Sequence, residues 1–147
     1  MSLFGVTIRL LGPGDAPVLG RVLPGVFDNA VDPRHTAEFF ADPRHHLAVA
    51  LDGETVVGMA SALHYVHPDK PPEMYINEVG VAPTYRNRGV GRRLLEVLLA
   101  HGKTLGCAEA WLGTERNNTA ALRLYAAVGG EEDPEDTVIV WFNLSKV

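Results

Sequence analysis

Val6-Thr7-Ile8-Arg9-Leu10 alternates apolar and polar side chains as a strand with one buried face does, and Gly12-Pro13-Gly14 ends it. Asp15 is placed to cap a short helix running towards Leu23, which Pro24 and Gly25 interrupt. A second helical piece is predicted from about Pro33 to Phe40. The apolar runs 47–51 and 55–59 flank Asp52-Gly53, a turn pair that favours a hairpin. Asp69-Lys70-Pro71-Pro72 reads as an exposed loop, and residues 74–81 as a strand ended by Pro83. From Val90, the positions Val90, Leu94, Val97, Leu98 and Leu105 follow helical spacing, and Gly106 is placed to close that helix. A short strand at 108–114 follows, then a helix capped by Asn117 or Asn118 with Ala121, Leu124, Tyr125 and Val128 on one face and Gly129 at its end. The last predicted strand is 137–144, after an acidic turn. The pattern implies a mixed α/β sheet with helices on both faces.

No repeat, low-complexity tract or long linker divides the chain, so residues 1–147 are expected to form one domain. The apolar share of 46% and charged share of 21% exclude a disordered chain. No apolar run is long enough to span a bilayer, and Met1-Ser2-Leu3-Phe4-Gly5-Val6 lacks the features of a signal peptide. With Cys107 as the one cysteine there is no internal disulfide to form, and a cytoplasmic protein is expected. A net charge of −5 argues against nucleic acid as a partner.

The chemistry concentrates at Arg86-Asn87-Arg88-Gly89-Val90-Gly91, between a strand and an amphipathic helix. Free backbone N–H groups and the positive end of the helix dipole make such a junction an anion site. Gly89 and Gly91 would let phosphate oxygens approach the backbone, and Arg86, Arg88, Arg92 and Arg93 add four cations within eight residues. A glycine-rich turn with a solvated basic face explains the same residues equally well. Two other phosphate loops fail: no Gly-Lys-Ser/Thr run exists, and Leu94 stands where the dinucleotide fingerprint needs a glycine. The six histidines show no zinc-protease spacing, and adjacent His45 and His46 would point to opposite faces of a strand, so no metal is expected. Cys107 reads as a small buried filler.

Val79-Gly80-Val81-Ala82-Pro83, followed by the loop from Arg86 to Gly91, resembles the acetyl-CoA motif of the GNAT acetyltransferases. Asn118-Thr119-Ala120-Ala121-Leu122-Arg123-Leu124-Tyr125, then Gly129, resembles that family's later Asn-x-x-Ala-x-x-x-Tyr helix. The two motifs stand in the family's order and separation, and the likeness covers nearly the whole chain. One departure is Gly130, where the family usually carries an aromatic or large apolar residue.

The resemblance implies a central mixed, mostly antiparallel sheet with a splayed cleft for acetyl-CoA, and acetyl transfer to an amine by direct attack in a ternary complex. By the same resemblance, backbone groups of Val79 and Val81 bind the pantetheine arm, and amides and side chains of the loop, Arg86, Arg88, Gly89, Val90, Gly91 and Arg92, hold the pyrophosphate. Asn118 bonds the CoA arm or only caps its helix. Glu78, a carboxylate inside an apolar strand just before the cofactor backbone, is the candidate base, and Tyr125 the candidate acid for the departing thiolate. Many relatives pair as homodimers.

Val56-Val57-Gly58, Tyr65-Val66 with Pro68, Glu73-Met74-Tyr75-Ile76 and Gly130-Glu131-Glu132 are also similar to the aminoglycoside 3-N-acetyltransferase branch, which would make antibiotic resistance the role. Five carboxylates among residues 131–136, including Glu132 and Asp136, together with Asp28 and Asp32, would suit a polycationic aminosugar. A solvated acidic turn accounts for the run just as well. Peptide N-termini, or an acetyl-CoA-binding module without catalysis, are the alternatives.

Overall fold

The computed structural model describes residues 5–146; residues 1–4, which hold most of the N-terminal stretch read above, and Val147 lie outside them. Five strands form one sheet in the order β1 (Val6–Leu11), β2 (His45–Asp52), β3 (Thr55–Tyr65), β4 (Glu73–Val81), β5 (Glu109–Trp111). The first three pairings are antiparallel and β4–β5 is parallel, so the sheet is mixed and mostly antiparallel. Helix α1 (Pro33–Ala41) begins at Asp32, whose carboxylate accepts from the N–H groups of Arg34 and His35. Helix α2 (Val90–Thr104) closes at Gly106, and α3 (Thr119–Ala127) at Gly129, both in the left-handed region that glycine enters without strain. The stretch expected as a helix after Asp15 is a short 3-10 turn, Ala16–Gly20. Asp15 does not cap it; its carboxylate instead accepts from Gly12 N–H at 2.8 Å and pairs with Arg9.

The near-continuous apolar run of β2 is explained by cover on both faces. On one face lies α2: Gly58, Ala60, Ala62, Met74 and Ile76 point towards it, and a side chain at Gly102 would strike the Met74 Cε at 3.0 Å. Residues 21–23 pair in the sheet plane with the start of β3, Val56 N–H donating to Arg21 O and Leu23 N–H to Val56 O, and the chain beyond them passes over the opposite face. That strap passes so close to β4 that a Cβ on Gly80 would lie 2.0 Å from the Val26 carbonyl oxygen.

His46 is buried under α2, its two ring nitrogens 2.7 Å from His64 Nδ1 and 3.1 Å from His101 Nε2. Burial and the two neighbouring rings pull its pKa down to about 4, so it is neutral near pH 7. His45 faces away from it, against the Phe39 ring. Among the described residues no group of three His, Cys, Asp or Glu is arranged to hold a metal ion.

One predicted element is missing. Residues 137–143 form no strand, and Val138, Ile139, Val140, Trp141 and Phe142 are 66–88% exposed. Their composition favours a strand, but a strand needs a ladder. The neighbouring edge strand β5 is three residues long, and Asp133 organises the turn before them by accepting from Glu135 N–H and Thr137 Oγ1. Gly130, the departure from the family pattern, has a local cause: its N–H donates to Tyr125 O at 2.9 Å, and a Cβ there would sit 2.9 Å from the same oxygen.

Candidate active site

The β4–β5 ladder covers only Glu73 to Tyr75 against Glu109 to Trp111. Beyond Tyr75, β4 runs on to Val81 while β5 has ended, so the sheet forks and the outer edge of 76–81 has no partner strand among the described residues. This open edge carries Val79 and Val81. The Val81 carbonyl accepts from Arg86 Nε at 2.9 Å.

At the mouth of the fork, the chain turns through Asn87 (φ 60°) and Gly89 (φ 78°) into α2. No side chain caps that helix, which leaves first-turn N–H groups around Val90 and Gly91 aimed at an anion's position. Tyr85 anchors the approach to this loop by donating its hydroxyl to Asp52 on the β2–β3 hairpin. The arginines divide their duties: Arg92 pairs with Glu96 at 2.9 Å, Arg93 donates to Val6 O at 3.0 Å, and Arg88 lies 5.6 Å from the Tyr85 ring centre. Helix α3 packs on this end of α2, where Leu124 Cδ2 would lie 3.1 Å from a Cβ at Gly91. Tyr125 is the next residue; it is half-buried, and burial raises its phenol pKa, which keeps it protonated at neutral pH.

Glu78 lies on the face crossed by the strap, opposite Ser61. A bulge at Asn77 puts it there: Ser61 pairs with Glu78 but Ala62 pairs with Ile76, so Asn77 is the extra residue. Partial desolvation raises the Glu78 pKa, and the like charge of Asp28 on the strap raises it further. Asp28 also lines a hollow of about 450 Å³ with Phe27 and Val31.

The structure therefore brings Glu78 and Asp28 together, and sets Val79, Val81, Arg86, Arg88, Gly89, Val90, Gly91 and Arg92 along the fork and its mouth. The remaining acidic candidates have other occupations. Asp32 caps α1, Glu132 pairs with Arg116, and Asp136 is exposed in the C-terminal segment. Asn118 caps α3, its Oδ1 accepting from Ala121 N–H at 3.2 Å. The sequence singled out neither Ser61 nor Trp111, and named Tyr65 and Tyr75 only within stretches that resemble the aminoglycoside branch; all four lie on the Glu78 face, and the bulge that puts Tyr75 there with Glu78 leaves no mark in the residue pattern.

The description of the acetyltransferase (GNAT) family matches residues 21–129, which contain both motifs, the strap and the fork. The chain is 33% identical to the N-alpha-acetyltransferase RimI of Mycobacterium tuberculosis over 84% of its own length and 77% of that protein's. In fold it is similar to an aminoglycoside acetyltransferase from an uncultured soil metagenomic sample solved with sisomicin, with a TM-score of 0.81, 18% identity, and coverage of 95% of this chain and 97% of that one. It is also similar to the aminoglycoside N-acetyltransferase AAC(6')-Iy in complex with CoA, with a TM-score of 0.73, 24% identity and 95% coverage of both chains. The forked sheet, the uncapped glycine loop and the matching of most of the chain lead to one conclusion: this protein belongs to the GNAT acetyltransferase family.

Proposed function

We propose that this enzyme transfers the acetyl group of acetyl-CoA to a primary amine of a small cationic acceptor, an aminoglycoside-type aminosugar, by direct attack in a ternary complex. The observation that carries the reading is that two carboxylates, Glu78 on β4 and Asp28 on the strap, stand near enough beside the open fork to feel each other's charge. Acetyl-CoA fits the fork: the unpartnered edge bearing Val79 and Val81 offers backbone groups to an amide-containing arm, and the loop from Arg86 to Arg92 offers N–H groups and cations to a pyrophosphate. When bound, it supplies an activated acetyl thioester.

The chain's own residues do the rest. Asp28 and Glu78 attract the ammonium, and Glu78, with its raised pKa, accepts the proton that the amine must lose before it can attack. Tyr125, kept protonated by burial, donates a proton to the leaving sulfur. Tyr125→Phe is expected to keep acetyl-CoA affinity and lower kcat about 10²-fold, the low end for a general acid; stopped-flow turnover at saturating substrate, paired with calorimetric binding, checks this. Unchanged turnover would hand the role to water. Asn118 serves as helix cap, while Glu132 and Asp136 add steering charge. Asp32 stays in its capping role.

Amine turnover measured across a panel of aminoglycosides, polyamines and peptides tests the acceptor. Aminoglycosides should be preferred, with apparent affinity falling as salt rises. The 33% identity to RimI favours a second reading, acetylation of peptide N-termini, and preference for peptides in that panel would establish it. We infer a cytoplasmic location from the one cysteine, Cys107, which leaves no internal disulfide to form. As a homodimer it would cover the apolar residues 138–142 that one copy exposes.

A further inference from the structure

Three aromatic rings, Trp111, Tyr75 and Tyr65, stand together on the Glu78 face at the point where the sheet forks, with the His67 ring against Tyr65. Trp111, at the last rung of β5, is 50% exposed, and its Nε1–H donates to the Tyr65 hydroxyl at 2.6 Å. Its ring centre lies 4.6 Å from that of Tyr75, its partner in the β4–β5 ladder. Tyr65 in turn meets the His67 ring edge-on at 5.2 Å, and His67 Nε2 lies 2.7 Å from Glu73 Oε2. One hydrogen bond, from Trp111 to Tyr65, and the ring contacts with Tyr75 and His67 hold the cluster together, and half of the Trp111 surface stays open. Among the pairs on this face, Tyr75 with Leu63 is the next one along from Glu78 with Ser61, the Ala62–Ile76 pair between them facing the other way. With about 3.3 Å per residue and one bulged residue between, Tyr75 and Glu78 are roughly 7–10 Å apart along the strand.

We infer that Trp111, with Tyr75 and Tyr65 behind it, is the subsite that stacks the body of the acceptor while its reactive amine rests at Glu78. This rests on the acceptor proposed above and specifies how it is held. Sugar rings present C–H faces and ammonium groups, and both are attracted to the electron-rich face of an indole. Carboxylates flank the platform, with Glu73 at one end and Glu78 with Asp28 at the other, so a cationic ring is favoured and an anionic one repelled. A purely apolar body would leave these carboxylates and the tyrosine hydroxyls competing for water.

Steady-state kinetics of Trp111→Leu against an aminoglycoside is the test. The aminoglycoside KM should rise roughly 5- to 30-fold, the fold-change of a cation–π contact of about 1–2 kcal/mol. The acetyl-CoA KM and kcat should stay near wild type, and Trp111→Phe should recover most of the affinity. A second measurement does not depend on turnover. In a Trp141→Phe background Trp111 is the remaining tryptophan, and its fluorescence should change saturably as aminoglycoside is added without acetyl-CoA. If the wild type acetylates aminoglycosides while both measurements are insensitive to Trp111, this subsite is wrong and the acceptor stands. If the wild type acetylates other amines but no aminoglycoside, acceptor and subsite fall together.

Discussion

Glu78→Gln is expected to lower kcat/KM about 10²- to 10⁴-fold near neutral pH, where the acceptor amine is mostly protonated and needs a base. The effect should shrink as pH rises towards the amine's own pKa, because free amine then forms without help. The sign of the wild-type profile follows from the same residue. Glu78 works as the carboxylate, so kcat/KM falls as pH drops through its raised pKa. Removing the like charge should lower that pKa, so Asp28→Asn moves the acidic limb to lower pH even where it weakens acceptor binding. A pH–rate profile of the three proteins separates these effects. An acidic limb that stays in place in Glu78→Gln would take the base role from this residue.

The largest structural effect is expected at Gly80. A Cβ there would lie 2.0 Å from the Val26 carbonyl oxygen, a clash with backbone that no rotamer change can relieve. Gly80→Ala must push the strap off β4, at a cost near the upper end of the 1–3 kcal/mol typical of overpacking. Thermal unfolding should show this as a fall in Tm of roughly 6–12 °C for a chain of this size. The strap also carries Asp28, so acceptor KM should rise in whatever fraction folds. Gly58→Ala is the control. Its Cβ would meet the ends of Leu94 and Val90 at 3.2 Å, side chains that can yield, so its loss should be clearly smaller. Equal losses in the two variants would mean that the strap's close approach is not what Gly80 permits.

Gly80 shows where sequence reasoning stops. The alternation of β1, the Asp52-Gly53 hairpin, the stripe of α2 and the glycines closing α2 and α3 are local signals, and each element formed where its signal lay. The glycine loop at the start of α2 was legible for the same reason: its glycines, cations and helix start are contiguous. Strap and fork are different, because they depend on contacts between distant segments. Nothing in residues 21–31 states that Val26 will cross Gly80 or that Asp28 will raise the pKa of Glu78. Counting by two along β4 puts Tyr75 and Glu78 on opposite faces, and only the bulge at Asn77, set by the register against Ser61 and Ala62, reunites them. Asp32 and Glu132 illustrate the converse. The acidic run offered Glu132, and a likeness to relatives Asp32, as acceptor ligands, and in the structure Asp32 caps α1 while Glu132 pairs with Arg116. The run 137–144 has strand propensity without a partner, and propensity alone did not order it.

Acetyl transfer from acetyl-CoA to an amine at the fork can be read out directly. Its most direct measurement follows, in one reaction, thiol released from acetyl-CoA and acetyl gained by the amine, detected by mass, across aminoglycosides, polyamines and peptides. Thiol release should depend on amine, match acetylated product one for one, and fall in both Glu78→Gln and Tyr125→Phe. Binding of acetyl-CoA with no amine-dependent thiol release from any acceptor would contradict it and leave a CoA-binding module that does no chemistry.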